Sequence, residues 1–107
     1  MADRNNCYTV IVSDKASEML IRHVMFLARV SAEAAERLRA QIIDAIKTLE
    51  IMPKRCPWFA ADMIPPNKYR KLIVAKRYLI LYQIRDDVVY VDYVLDCRQD
   101  YQWLIDN

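Results

Sequence analysis

The chain has 107 residues, 55% of them apolar, with 16 basic and 14 acidic side chains and a net charge of +2. At that length a single domain with its own core is expected. The apolar share excludes a disordered chain, and so small a net charge excludes a nucleic-acid binder that works by bulk electrostatics.

Three cysteines (Cys7, Cys56 and Cys97) cannot all pair within one chain, and none shows metal-ligand spacing. A reduced, cytoplasmic protein needing neither metal nor cofactor is therefore expected. The N-terminus has no basic segment followed by an apolar one, so no signal peptide is expected. No apolar run reaches the length of a membrane span, so no membrane partner is expected either. Glycine is absent, and turns must be made by Asp, Asn, Ser and Pro or by longer loops.

In chain order, Tyr8 to Ser13 is short, alternating and β-branched, and predicts a strand. Ser13 or Asp14 then caps a helix with apolar residues Ala16, Leu20, Val24 and Leu27 at helical spacing, Met19 and His23 beside them. Ser31 opens a second helix whose stripe is Ala35, Leu38, Ile42, Ala45, Ile46 and Leu49, with a Glu33–Arg37 pair on its wet side. The link near Val30 is short, so the two helices form a hairpin. All four prolines fall between Pro53 and Pro66, which marks a loop, pinned by Trp58 and Phe59. Three strand-like runs follow: Tyr69 to Val74, Tyr78 to Ile84 and Val88 to Leu95. Their short links predict antiparallel hairpins. The order strand, helix, helix, strand, strand, strand is α+β.

A two-residue loop at Asp86 and Asp87 sets Ile84 against Val89, Tyr82 against Val91, Ile80 against Tyr93 and Tyr78 against Leu95. That apolar set, with Ile73, is expected to carry the helix hairpin. The other parity pairs Leu79 with Val94 and Leu81 with Asp92. An even-length turn near Ala75 and Lys76 adds Arg70, Leu72 and Val74 to it. The second face then has an apolar centre of Leu72, Val74, Leu79, Leu81 and Val94 inside a polar rim that includes Arg70 and Arg98. Leaving such side chains wet forgoes roughly 1.5–3 kcal/mol each, so a protein partner is expected to cover this groove. The intramolecular alternative is that Tyr101 to Ile105 folds back over it.

The basic residues allow two readings each. Arg70 is placed on the groove rim. Arg70, Lys71, Lys76 and Arg77 either clamp phosphates or keep an edge and a turn soluble. Arg98 either contacts a target or pairs with Asp96 and Asp100. His23, without a partner in sequence, is read as structural. Cys97 beside Arg98 suggests a thiol with a lowered pKa.

The order β-α-α-β-β-β, the proline-bearing loop and the block "YRKLIVAKRYLILYQIRDDVVYVDYVLDCRQDY" resemble the RelE/ParE family. These are toxins of bacterial type II toxin–antitoxin pairs, of the plasmid stabilisation type. The resemblance runs from Tyr8 to about Leu104. It implies an antiparallel sheet with a helix hairpin packed on one face, and a cognate antitoxin that folds onto the toxin. It implies one of two targets: the ribosome, with cleavage of mRNA, or DNA gyrase, bound without chemistry. Arg70, Arg98 and Tyr101 are the implied catalytic set, and Lys71, Lys76 and Arg77 the implied target or phosphate contacts. The basic positions of the ribonuclease branch fall at Arg70, Leu72, Leu79 and Gln99. A leucine neither stabilises charge on a phosphate nor moves a proton. Where ParE-like members end the last strand with His-x-Arg-Arg-Asp, this chain reads Asp96, Cys97, Arg98, Gln99, Asp100, keeping Arg98 and Asp100. A domain of the same fold that binds protein and has lost catalysis is the alternative.

Overall fold

The computed structural model describes residues 7–62, 64–98 and 100. Strand β1 (Thr9–Val12), helices α1 (Asp14–Ala28) and α2 (Ala32–Lys47), and strands β2 (Arg70–Val74), β3 (Tyr78–Arg85) and β4 (Val88–Asp96) follow the expected order. They build one sheet in the order β1-β4-β3-β2. Neighbours β2, β3 and β4 are antiparallel, and β1 joins β4 as a parallel edge. Parallel neighbours need a long connection, and everything from α1 to β3 lies between these two.

Ser13 is the N-cap of α1. Its hydroxyl accepts from the Ala16 amide at 3.0 Å, and its own amide donates to Val91 of β4 at 2.9 Å. One residue thus starts the helix and ties it to the sheet. The buried seam of α1 is Ala16, Met19 and His23, one position round from the expected stripe; Leu20, Val24 and Leu27 are only partly buried. Ser31 caps α2 in the same way, and Ala35, Leu38, Ile42 and Ile46 form its buried face as expected. The seam runs on to Leu49 in the 3-10 turn Thr48–Glu50. On the wet face of α2 the ion pair is Glu36 with Arg39 at 2.6 Å, in place of Glu33 with Arg37.

Two irregularities in the sheet overturn part of the expected face assignment. The first is the β2–β3 turn. Val74 pairs with Tyr78, so the loop is Ala75, Lys76 and Arg77, an odd length. Ala75 and Lys76 take φ of 54° and 59° without any glycine. An odd loop flips the whole of β2: Arg70, Leu72 and Val74 share a face with Tyr82, Ile80 and Tyr78. Ile73 is turned outward and is 58% exposed.

The second is a bulge in β4. The β3–β4 loop at Asp86 and Asp87 forms as expected, with Ile84 opposite Val89 and Tyr82 opposite Val91. Leu81 then faces Tyr93, which leaves Asp92 as an extra residue. Beyond it, Ile80 faces Val94 and Leu79 faces Leu95. A bulge changes the parity of everything that follows, so Val94 moves to the helix face. The Asp92 carbonyl, at the bulge, accepts from the Ser13 hydroxyl at 3.4 Å.

The expected groove of Leu72, Val74, Leu79, Leu81 and Val94 is therefore split. Leu72, Val74 and Val94 lie on the helix face, where the Tyr78 ring packs 5.5 Å from that of His23. Leu79 and Leu81 lie on the other face, but at 8% and 0% exposure they belong to the core. Phe59 and Tyr69, also buried, belong to the same apolar cluster. The proline loop runs along the free edge of β2, with the Phe59 amide donating to Tyr69 at 2.7 Å and the Lys71 amide to Pro57 at 3.0 Å.

Candidate functional site

The cationic residues sort into two groups at opposite ends of the β2–β3 hairpin. At the turn end are Lys76, Arg77 and Arg98. Arg77 grips Asp96 through two bonds of 2.9 and 2.8 Å. Asp96 is 1% exposed, and its Oδ1 also accepts the Arg98 amide at 2.8 Å. The bidentate bond to Asp96 holds the Arg77 guanidinium firmly in its charged form, its pKa raised despite partial burial. Arg77 is thus committed to the fold through Nε and Nη2.

Arg98 is exposed, and its guanidinium makes no ion pair among the described residues. Asp100 does not pair with it. The Asp100 carboxylate accepts the Asp96 amide at 2.8 Å and stands 3.5 Å from the His23 Nε2 and 3.9 Å from Arg22. His23, 2% exposed, also bonds the Val94 carbonyl at 2.9 Å, which gives the lone histidine its place in the core. Cys97 runs opposite to expectation: burial first, then the charge of Asp96, pushes its thiol pKa up. Lys76 is exposed on the turn.

At the far end sits Arg70. Its Nη1 donates to the carbonyls of Lys54 at 3.1 Å and Cys56 at 2.7 Å. Its guanidinium lies 3.9 Å from the centre of the Trp58 ring. Arg70 thereby staples the proline loop to β2, and the nearby Tyr82 hydroxyl does the same by donating to Pro53 at 2.6 Å. Arg55 is spent in a similar way, on the carbonyls of Thr48, Ile51 and Met52. Lys71, one residue on, is half-buried.

Arg70 and Arg98 do not converge. Arg70 stands opposite Tyr82, whereas Arg98 follows Asp96, which stands opposite Tyr78. At about 3.3 Å per strand residue, the two rows are about 13 Å apart. The third member of the implied catalytic set, Tyr101, lies outside the described residues, as does Gln99. The buried phenols offer no substitute. Burial raises the pKa values of Tyr69, Tyr78 and Tyr82 above the ordinary 10.0, with the Asp92 carboxylate adding to the effect at Tyr69.

The proline-loop end contains a feature not singled out by the sequence. Strand β3 outruns β2 by Gln83, Ile84 and Arg85. The chain arriving through Asn67, at φ 62°, leaves a cleft of about 460 Å³ beside them. Lys54, Trp58, Lys68, Arg70 and Arg85 line it, and among the described residues Asp86 is its only carboxylate. These residues come from three separate segments, so no local motif announces them.

Among the described residues, no group of three or more potential metal ligands occurs and no helix is long and apolar enough to cross a membrane.

Comparison with known proteins places the chain. A family model described as the ParE toxin of the type II toxin–antitoxin system parDE matches residues 10–101. A solved structure described as the chromosomal ParDE TA system from P. aeruginosa superposes with a TM-score of 0.67. It covers 84% of this chain and 96% of that one at 12% identity, a likeness of fold. No curated protein sequence matches.

Proposed function

The chain belongs to the ParE toxin family of type II toxin–antitoxin systems, and on that premise we propose that it arrests growth by gripping a protein target, DNA gyrase, without cutting RNA. As the toxin of such a pair it has a cognate antitoxin. Acting on gyrase would place it in the cytoplasm.

The observation that carries this reading is the separation of Arg70 and Arg98 by about 13 Å of strand. Cleaving a phosphodiester needs cations and a proton-transfer group within about 3 Å of the same reacting atoms. Here Arg70 and Arg77 hold the fold together, and burial keeps the phenols of Tyr69, Tyr78 and Tyr82 protonated. Binding needs no such convergence. Arg98, exposed and held by its amide on a buried carboxylate, is the residue proposed to touch the target, with Lys76 on the adjacent turn.

The test is purified chain in a gyrase supercoiling assay, beside primer extension on cellular mRNA after induction. Inhibited supercoiling with intact mRNA is expected. Replacing Arg98 with Ala should raise the inhibitory concentration about tenfold or more, the cost of one lost charged contact, with no change in melting temperature. Codon-phased cuts with normal supercoiling would overturn the proposal in favour of ribosomal cleavage. Normal growth at good soluble expression would leave only a protein-binding domain of the same fold.

A further inference from the structure

The cleft at the proline-loop end has a composition that the gyrase reading does not use. Among the described residues, four cations, Lys54, Lys68, Arg70 and Arg85, face one carboxylate, Asp86, around about 460 Å³. That volume lies in the range of small-molecule sites. Trp58 presents its indole there at 44% exposure, large for an aromatic that the fold could have buried. Two carbonyl bonds from Arg70 Nη1 fix its guanidinium, which stacks 3.9 Å from the centre of the indole ring. The result is a preformed flat stack beside separate point charges. Lys68 and Arg85 rest near the rings of Tyr69 and Tyr90, at 5.4 and 5.8 Å, and neither has a carboxylate partner among the described residues.

We propose that this cleft binds a nucleoside phosphate, with the base stacked on the Trp58–Arg70 pair and the phosphate held by Lys54, Lys68 and Arg85. Every base has a face that stacks on an aromatic ring or a guanidinium plane, and lysines bind phosphate as point charges. An acidic peptide fits less well. It would prefer free guanidinium forks, and of the two in the cleft that of Arg70 is already committed through Nη1. It would also leave the exposed indole without a use. The ligand is either a free mononucleotide or one residue of a single strand, since both offer a base and a phosphate. This site is independent of the target contact at Arg98. A chain that fails to bind nucleotides can still inhibit gyrase.

The probes are AMP and a fluorescein-labelled oligodeoxythymidylate of about eight nucleotides, titrated against the full chain by calorimetry and anisotropy. Binding is expected to weaken with salt, with a log–log slope of about −2 for three phosphate contacts on a strand. Trp58→Ala and the double variant Lys54→Glu/Arg85→Glu should each lose about tenfold or more in affinity, with circular dichroism unchanged. Arg98→Ala should bind as the parent does. AMP competing at the strand's own affinity would identify the free nucleotide as the ligand, and a strand that AMP cannot displace would identify nucleic acid. Absence of binding to both probes overturns the proposal. So does polyglutamate competing as well as the strand while Trp58→Ala binds undiminished, which would assign the cleft to an acidic peptide.

Discussion

Asp96 shows how much one residue decides. It is 1% exposed and carries two bonds from Arg77 and one from the Arg98 amide. A buried carboxylate stripped of its partner is costly, so Arg77→Ala should lower stability by about 3 kcal/mol in urea melts. Arg98→Ala, removing an exposed guanidinium, should change it by less than about 0.5 kcal/mol. That contrast separates two arginines that look alike in sequence. Leu81 offers a second contrast. Its parity suggested a solvent-facing groove, but at 0% exposure it sits inside the apolar cluster. Leu81→Arg should therefore leave a chain that does not fold, seen as loss of the cooperative thermal transition, because it buries a charge without a partner.

At the scale of elements, the helices were legible and the sheet faces were not. The seam of α2 follows directly from its 3.6-residue spacing, and both serine caps stand where the sequence puts them. The β2–β3 hairpin failed at one detail, a turn of three residues instead of an even number. With no glycine in the chain, Ala75 and Lys76 both adopt left-handed backbone there, which costs about 1–2 kcal/mol per residue. Replacing Ala75 and Lys76 by Asn and Gly should relieve part of that strain. Stability should rise by about 1 kcal/mol, and the melting temperature by about 4–8 °C. The bulge at Asp92 is equally silent in sequence. It adds a residue to β4 without altering composition, and its carbonyl is answered by Ser13, 79 positions away.

For the whole molecule, the buried phenols set an alkaline limit. Tyr69, Tyr78 and Tyr82 have pKa values above 10.0 in the folded chain, chiefly because burial disfavours phenolate. Below pH 10 both states hold these protons and the stability is fully present. Above it the unfolded chain ionises first, so stability falls as pH rises toward the folded values. Each phenol contributes a slope of up to about 1.4 kcal/mol per pH unit. Urea melts between roughly pH 8 and 11 should show this decline. Tyr82→Phe should make it shallower while costing about 1 kcal/mol at neutral pH, through the lost bond to Pro53.

The sequence by itself determined the element order, the capped helix hairpin, the family resemblance and the loop at Asp86 and Asp87. All of these are local signals: spacing, caps, turn residues and short motifs. Only the tertiary structure decided which face each strand residue serves and which cations meet. A one-residue change in a turn or a bulge inverts every side chain that follows. That inversion split the expected groove, carrying Leu72, Val74 and Val94 to the helix face. It also set Arg70 and Arg98 to different work at opposite ends of the sheet. The cleft of Lys54, Trp58, Lys68 and Arg85 depends on β3 outrunning β2, a length difference that acquires meaning only once the strands are paired.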